Sequence, residues 1–118
     1  MYPANEYVIS KQELNKDIDT IINHLKDKII NHKVATYIGL FDHYQHTKQL
    51  NWEILPEIKN VKILIFCFWK SITNYEVLTG RPRNLVIIET NDKFIFRWLK
   101  APQEEANQEI TNWIKSLK

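Results

Sequence analysis

Glycine and cysteine are both scarce in this sequence, and the scarcity of cysteine excludes two common ways of stabilising a small protein. The chain of 118 residues contains two glycines and a single cysteine, Cys67. One cysteine excludes an intrachain disulfide, and structural zinc usually requires four closely spaced cysteine or histidine ligands, which the sequence does not offer. Because the chain also lacks an internal repeat or a low-complexity linker, we predict one domain over residues 1–118.

The sequence also lacks a long apolar run and an excess of charge of one sign. Its longest apolar stretch, IKNVKILIFCFW, is interrupted by Lys62, whereas a membrane-spanning helix needs about 20 apolar residues. Sixteen basic and 14 acidic residues are interleaved, which favours neither a membrane nor a nucleic-acid partner. The N-terminal MYPANEYVIS lacks the basic start and apolar region of a signal peptide, so we expect a cytoplasmic location.

Two segments show the apolar periodicity of amphipathic helices. The first lies in KDIDTIINHLKDKIINH, with Asn15 or Asp17 as the predicted N-cap. The second begins with Pro102, which we place at the first helical position. The predicted buried residues are Ile18, Ile21, Ile22, Leu25 and Ile29 in the first helix, and Ala106, Ile110, Trp113, Ile114 and Leu117 in the second.

Five short β-branched and aromatic runs predict strands. They are EYVIS, VATYIGLF, VKILIFCFW, NLVIIET and KFIFRWL. Asn91 and Asp92 join the last two as a two-residue hairpin, since both residue types tolerate positive φ. The connection before the third strand is predicted to be irregular, with a short helix around Ile54–Ile58, and the connection after it to contain a helical turn at Asn74–Leu78 ended by Gly80.

The order of these elements predicts an α+β fold. Consecutive strands without crossover helices form an antiparallel sheet, so the order is strand, helix, four strands, helix, with the helices on one face. Several strands are nevertheless apolar on both faces; Ile63, Ile65 and Cys67 alternate with Leu64 and Phe66. A partner subunit, the 42–60 connection or a ligand should therefore cover the second face, and we predict a homodimer.

Several short motifs lie immediately before or after the predicted elements. They are Asp42-His43 after the second strand, ILIF at 63–66 with Lys70 after it, Pro82 followed by LVIIE at 85–89, Asp92 before the last strand, and Pro102. In this order and spacing the chain, from about Ile18 onward, resembles the bacterial family called domain of unknown function 302.

The resemblance implies the strand-helix-four-strand-helix arrangement of the TATA-binding-protein-like folds, and small, dimeric proteins without an established activity. The name of the fold implies nothing about DNA. Where that family tends to have a Gly-Asn-Pro turn after ILIF, this chain has Cys67, Phe68 and Trp69. Because of this difference, we expect the chain to belong to a divergent branch that shares only the fold with that family.

The stretch FDHYQHTK is the most polar cluster that follows a strand. His43 and His46, at i and i+3, are candidate metal ligands with Asp42 orienting one ring. The alternative is a strand-end corner in which Asp42 caps the following turn. We favour the corner and expect neither a metal nor another cofactor. Cys67 lies between two phenylalanines, where a cysteine usually behaves as an inert apolar residue.

The stretch GRPRN places Arg81 and Arg83 just before the fourth strand, where two guanidinium groups are suited to a carboxylate or phosphate. The alternative is that they pair with glutamates or cap the preceding turn. From these residues we predict a dimeric small-ligand-binding or regulatory domain whose anionic or aromatic ligand contacts Asp42, His43 and Tyr44 together with Arg81 and Arg83.

Two other functions remain open. One is a small enzyme with His43 as general acid or base, because imidazole titrates near neutral pH. The other is a structural module whose second sheet face binds another chain. The sequence offers no second acid–base group at a defined spacing, so we favour binding over catalysis.

Overall fold

The computed structural model describes residues 3–118, which form five strands and four helices. The strands are β1 Ala4–Ser10, β2 Ala35–Asp42, β3 Ile58–Phe68, β4 Arg83–Thr90 and β5 Lys93–Leu99. The helices are α1 Ile18–Ile30, α2 His43–Gln49, α3 Tyr75–Thr79 and α4 Glu104–Lys115. The predicted order is confirmed. The helical turn predicted at Asn74–Leu78 is α3, with Gly80 as its C-cap, and a further short helix, α2, precedes β3. None of the helices among these residues is long and apolar enough to cross a membrane.

The strands form one antiparallel sheet in the order β1-β5-β4-β3-β2. Strands β2 to β5 follow one another as a meander, as expected when consecutive strands lack crossover helices. Strand β1 pairs with β5, from Ala4 opposite Leu99 to Ser10 opposite Lys93. Since β1 and β2 are the two edge strands, α1 connects opposite edges of the sheet and crosses its face.

Helices α1 and α4 cover the same face of the sheet. The side chains of Ile21 and Leu25 in α1, and of Ile110 and Ile114 in α4, are fully buried, which confirms both periodic patterns. The aromatic residues of the sheet that pack in this core are Phe66, Phe68, Phe94, Phe96 and Trp98. Full burial of each large apolar side chain stabilises the fold by about 1.5–3 kcal/mol, so this layer is the main source of stability.

The connection between β2 and β3 differs from the prediction. A helix occupies His43–Gln49, and residues 54–57 form an irregular segment and a turn that lead into β3, which begins at Ile58. Pro56 lies in that turn, where a helix would be disfavoured. The prediction was wrong because α2 buries none of its residues and so has no apolar periodicity in the sequence.

Two predictions about local backbone conformation are also wrong. Asn91 and Asp92 do join β4 and β5 as a two-residue connection, but neither has a positive φ, because other turn conformations also close a short connection. Pro102 precedes the N-cap residue Gln103 and lies outside α4, which begins at Glu104. Acidic residues in the first turn still suit the positive end of the helix dipole.

The second face of the sheet is apolar, as the strand sequences predict, and we call it the open face. Strand alternation places on it Val8, Phe41, Val61, Ile63, Ile65, Cys67, Val86, Ile88 and Ile95. Within residues 3–118 no helix layer matches α1 and α4 on this side. Helix α2 reaches only its margin, where the ring of Phe41 stacks on that of His43 with centroids 5.2 Å apart.

Candidate functional site

Asp42, His43 and Tyr44, which we call the polar corner, lie where β2 ends and α2 begins. Oδ1 of Asp42 accepts a hydrogen bond from the backbone N of Gln45 at 3.0 Å, which caps α2. Its Oδ2 is 3.9 Å from Nζ of Lys62. The carboxylate therefore caps the start of α2 and lies near a lysine, which agrees with the alternative that Asp42 caps the turn after the strand. It orients neither histidine ring.

His43 and His46 lie on the exposed side of α2. The Phe41 ring contacts both, with centroids 5.2 Å from His43 and 5.4 Å from His46. Nδ1 of His43 is 2.9 Å from Oγ1 of Thr47. Across residues 3–118, no three His, Cys, Asp or Glu side chains are grouped so that they would hold a metal ion. That the purified protein lacks stoichiometric metal remains a prediction for elemental analysis.

The two arginines lie away from the polar corner. In the register of the sheet, Asp42 is opposite Lys62 of β3, whereas Arg83 is opposite Phe66. Four residues of a strand span about 13 Å, and β2 and β4 lie on opposite sides of β3. The polar corner borders a depression of about 280 Å³ that neither arginine lines. The structure thus separates the five predicted residues into two candidate sites.

Arg81 and Arg83 line a cavity of about 450 Å³ at the other end of the sheet, which we call the arginine cavity. Its walls come from the end of β3, from α3, from the start of β4, from the end of β5 and from the segment that enters α4. Most lining side chains are apolar: Pro3, Phe68, Trp69, Val77, Leu99, Ala101, Pro102 and Ala106. The charged ones are Glu76, Arg81, Arg83 and Lys100.

Both arginines hold neighbouring backbone segments in place. Nη1 of Arg81 donates to the carbonyl of Ser71 at 2.7 Å. Arg83 donates to the carbonyl of Gly80 at 3.3 Å, which caps the preceding turn, and to that of Leu99. Burial lowers the pKa of Arg83 from its usual value. No carboxylate of residues 3–118 lies within ion-pair distance of either guanidinium.

Trp69 is the outermost member of an aromatic row that ends at the cavity. Phe68 stacks on Trp113 with centroids 5.6 Å apart, and Trp69 follows at 5.5 Å from Phe68. Trp113 and Phe68 are 3% and 5% exposed, whereas Trp69 is 36% exposed. The φ of Trp69 is 49°, a left-handed conformation that costs a bulky residue about 1–3 kcal/mol. The fold thus holds this ring at the cavity wall despite local strain.

Asn107 of α4 holds the segment 100–103, which forms one wall of the arginine cavity. Its Oδ1 accepts hydrogen bonds from Nε1 of Trp98 at 3.2 Å and from the backbone N of Ala101 at 2.9 Å. Its Nδ2 donates to the carbonyl of Ala101 at 3.0 Å. The side chain is buried and fully bonded, so the 100–103 segment is anchored to both β5 and α4.

The sequence of the whole chain matches a protein family. Residues 1–118 match the model described as a family of unknown function, DUF6858. The chain belongs to this family. None of the curated proteins matches the sequence.

The DUF6858 fold is similar to a crystal structure of an uncharacterized conserved protein, DUF302, from Bacillus stearothermophilus. The TM-score is 0.63 at 13% sequence identity, and the match covers 95% of this chain and 91% of the other. At this identity the similarity shows the fold alone. The predicted resemblance is confirmed at the level of fold, and the separate family agrees with a divergent branch.

Sequence reasoning missed most of the arginine cavity of this DUF6858 protein. Four separate chain segments form it, at Pro3, 68–69, 76–83 and 99–106, and no local pattern shows that such segments meet. One signal was present for Asn107, a polar residue three positions before Ile110 on the apolar side of α4. A polar residue at such a position usually has specific buried partners.

Proposed function

We propose that this DUF6858 protein is a small homodimeric domain that binds an anionic or aromatic small molecule in the arginine cavity. The cavity itself is the observation that supports binding most directly. Ligand sites are typically concavities of roughly 300–1,000 Å³ with mostly apolar walls and a few convergent polar groups. At about 450 Å³, with two guanidinium groups and mainly apolar walls, the cavity matches that description.

The polar corner is the alternative location for the ligand. His43 and Tyr44 border a smaller depression, and the Asp42 carboxylate is already bonded to the start of α2. An acid–base function of His43 would need a partner for proton transfer, but its ring contacts Phe41 and Thr47. We therefore favour binding over catalysis, and the arginine cavity over the corner.

The homodimer is proposed because an identical surface would complete the packing of the open face. Large contiguous apolar patches are uncommon on monomers, and two sheets pack well face to face at about 10 Å. Two charged residues on this face, Glu6 and Arg97, form an ion pair with each other, and Lys93 lies at the start of β5 opposite Ser10. The ion pair adds no net charge that would repel a second copy, and apolar contact would supply the association energy.

The binding proposal is tested by thermal unfolding in the presence of a library of small anionic and aromatic compounds. Binding to the native state raises its stability by mass action, so at least one compound should raise the Tm of the wild type. Val77→Trp, which fills the cavity from α3, should abolish this increase. Leu50→Trp, at an exposed position after α2, is the matched control and should retain it.

The variant His43→Ala distinguishes the two locations. If the ligand binds in the arginine cavity, His43→Ala keeps the increase in Tm that Val77→Trp loses. The opposite pattern would place the ligand at the polar corner. If no compound raises the Tm of the wild type, the proposed function is wrong.

A further inference from the structure

The charges around the arginine cavity are unbalanced. Three cationic side chains and one acidic side chain line it, which leaves two positive charges. A cation that is partly removed from water is stabilised by an adjacent anion. Since no carboxylate of residues 3–118 pairs with Arg81 or Arg83, an anion that pairs with them would come from outside this part of the chain.

The hydrogen bonds of the two arginines differ. Both terminal nitrogens of Arg83 donate to carbonyls, those of Gly80 and Leu99. The side chain of Arg81 makes one hydrogen bond within residues 3–118, from Nη1 to the carbonyl of Ser71. A guanidinium has five N–H donors, so Nη2 and Nε of Arg81 are the donors left for a ligand. Their fixed geometry matches the two oxygens of one carboxylate.

A carboxylate fits this arrangement better than a phosphate does. Phosphate sites commonly combine several cationic side chains with a cluster of backbone N–H groups, because the group has more oxygens and more charge. Here one guanidinium has a pair of N–H groups to offer, the third lining cation, Lys100, is exposed to solvent, and the surrounding walls are mainly apolar. A single carboxylate would be satisfied by Arg81, and the rest of the ligand would contact apolar side chains.

The position of Trp69 indicates which apolar group the ligand carries. The aromatic row of Trp113, Phe68 and Trp69 continues at centroid distances of 5.5–5.6 Å until it reaches the cavity. Aromatic rings prefer neighbours at such distances, in stacked or edge arrangements. Trp69 lines the cavity and is 36% exposed, so its ring is available for one more aromatic neighbour.

We propose that the ligand is an aromatic monocarboxylate, with its carboxylate paired to Arg81 and its ring packed on Trp69. This inference rests on the proposed function, because it names the ligand class of the same cavity. A two-ring acid is a suitable probe for a cavity of about 450 Å³.

The first test compares three probes by isothermal titration calorimetry. 2-Naphthoate has both groups, 2-naphthamide has the rings without the charge, and octanoate has the charge without a ring. We expect 2-naphthoate to bind best. The amide should bind at least about tenfold more weakly, because hydrogen bonds to charged groups contribute about 1.5–3 kcal/mol. Octanoate should bind about two- to tenfold more weakly, as expected for the loss of an aromatic contact.

The second test assigns each group to its residue. Arg81→Met should weaken 2-naphthoate by at least about tenfold and leave 2-naphthamide unchanged. Trp69→Leu should weaken 2-naphthoate and leave octanoate unchanged. The matched controls are Lys48→Met, an exposed cation of α2, and Trp52→Leu, a tryptophan that is 73% exposed. Both controls should bind all probes as the wild type does.

The outcomes separate this inference from the proposed function. Equal affinity for 2-naphthoate and 2-naphthamide, or for 2-naphthoate and octanoate, would overturn the ligand class. So would the absence of 2-naphthoate binding at millimolar concentration. In each of these cases the proposed function still stands if a library compound binds in a manner that Val77→Trp abolishes. If Arg81→Met fails to fold, the comparison of probes on the wild type still decides.

Discussion

Asn107 is the residue on which the geometry of the arginine cavity depends most directly. The cavity wall at Ala101 is not part of a helix or strand, so regular hydrogen bonding does not fix it. The amide of Asn107 supplies the missing partners for both the N–H and the carbonyl of Ala101, and also for the indole of Trp98. One side chain thereby joins the end of β5 to α4 and holds the cavity wall at Ala101 in place.

We expect Asn107→Ala to lower the free energy of unfolding by about 2–4 kcal/mol. The variant leaves the indole N–H of Trp98 and the backbone N–H of Ala101 without an acceptor, and each unsatisfied buried group costs about 1–3 kcal/mol. Urea denaturation measures the change. Asn112→Ala, an exposed asparagine of the same helix, should change it by no more than about 0.5 kcal/mol. Similar small effects for both variants would show that the network at Asn107 contributes little.

At the level of the helices and strands, the sequence predicts those that bury an apolar face. Helices α1 and α4 and all five strands have such a face, so their spacing of apolar residues reveals them. Helix α2 has none; it depends on the Asp42 cap and on contacts beside β3, which only the folded chain provides. Helix α3 also buries none of its residues, but Gly80 marks its end in the sequence. Secondary structure was therefore predictable where the core requires it or a glycine ends a helical turn, and not at α2, which has neither signal.

The prediction that the five site residues share one site was wrong, and the predicted order of strands already explains why. In a meander, β2 and β4 both run antiparallel to β3 and therefore run in the same direction. The residues that follow β2 and the residues that precede β4 then lie at opposite ends of the sheet. Asp42 and Arg83 accordingly pair with positions four residues apart on β3. Strand direction, rather than proximity to strand ends, decides which polar residues meet.

The start of α1 depends on an ionised cap. Oδ1 of Asp17 accepts the backbone N–H of Thr20 at 2.8 Å, and its side-chain and backbone hydrogen bonds with Thr20 lower the pKa of the carboxyl. A pKa that is lower in the folded state stabilises the protein above the unfolded value of about 3.9. This stabilisation is lost as the pH falls through the folded value.

We therefore expect Asp17→Ala to lower the Tm at neutral pH, by an amount that decreases as the pH falls below about 4. Asp17→Asn should retain most of the Tm at neutral pH, because asparagine also caps helices. Circular dichroism melts across this pH range provide the comparison. Asp27→Ala, at an exposed aspartate later in α1, serves as control and should not lower the Tm. A deficit in Asp17→Ala that is the same at every pH would contradict an ionised cap.

On the scale of the whole molecule, the two proposed contacts use different surfaces. Helices α1 and α4 occupy one face of the sheet, and the proposed subunit contact occupies the open face. The arginine cavity lies at the end of the sheet where β3 and β5 finish and β4 begins. Two subunits joined through their open faces would therefore leave the end of each sheet accessible, and neither contact would require the other.

The homodimer predicts a mass of twice 14.2 kDa in light scattering at micromolar concentration. Ile65 lies on β3 within the open face, between Gly39 of β2 and Asn84 of β4, so Ile65→Lys would place a charge within the contact, which is unfavourable without a partner. We expect this variant to be a folded monomer, by circular dichroism and light scattering, and to retain the ligand-induced increase in Tm. Leu50→Lys, at an exposed position on α2's C-terminal side, should remain dimeric. A wild type that stays at 14.2 kDa, or a dimer that Ile65→Lys leaves intact, would exclude the open face as the subunit contact.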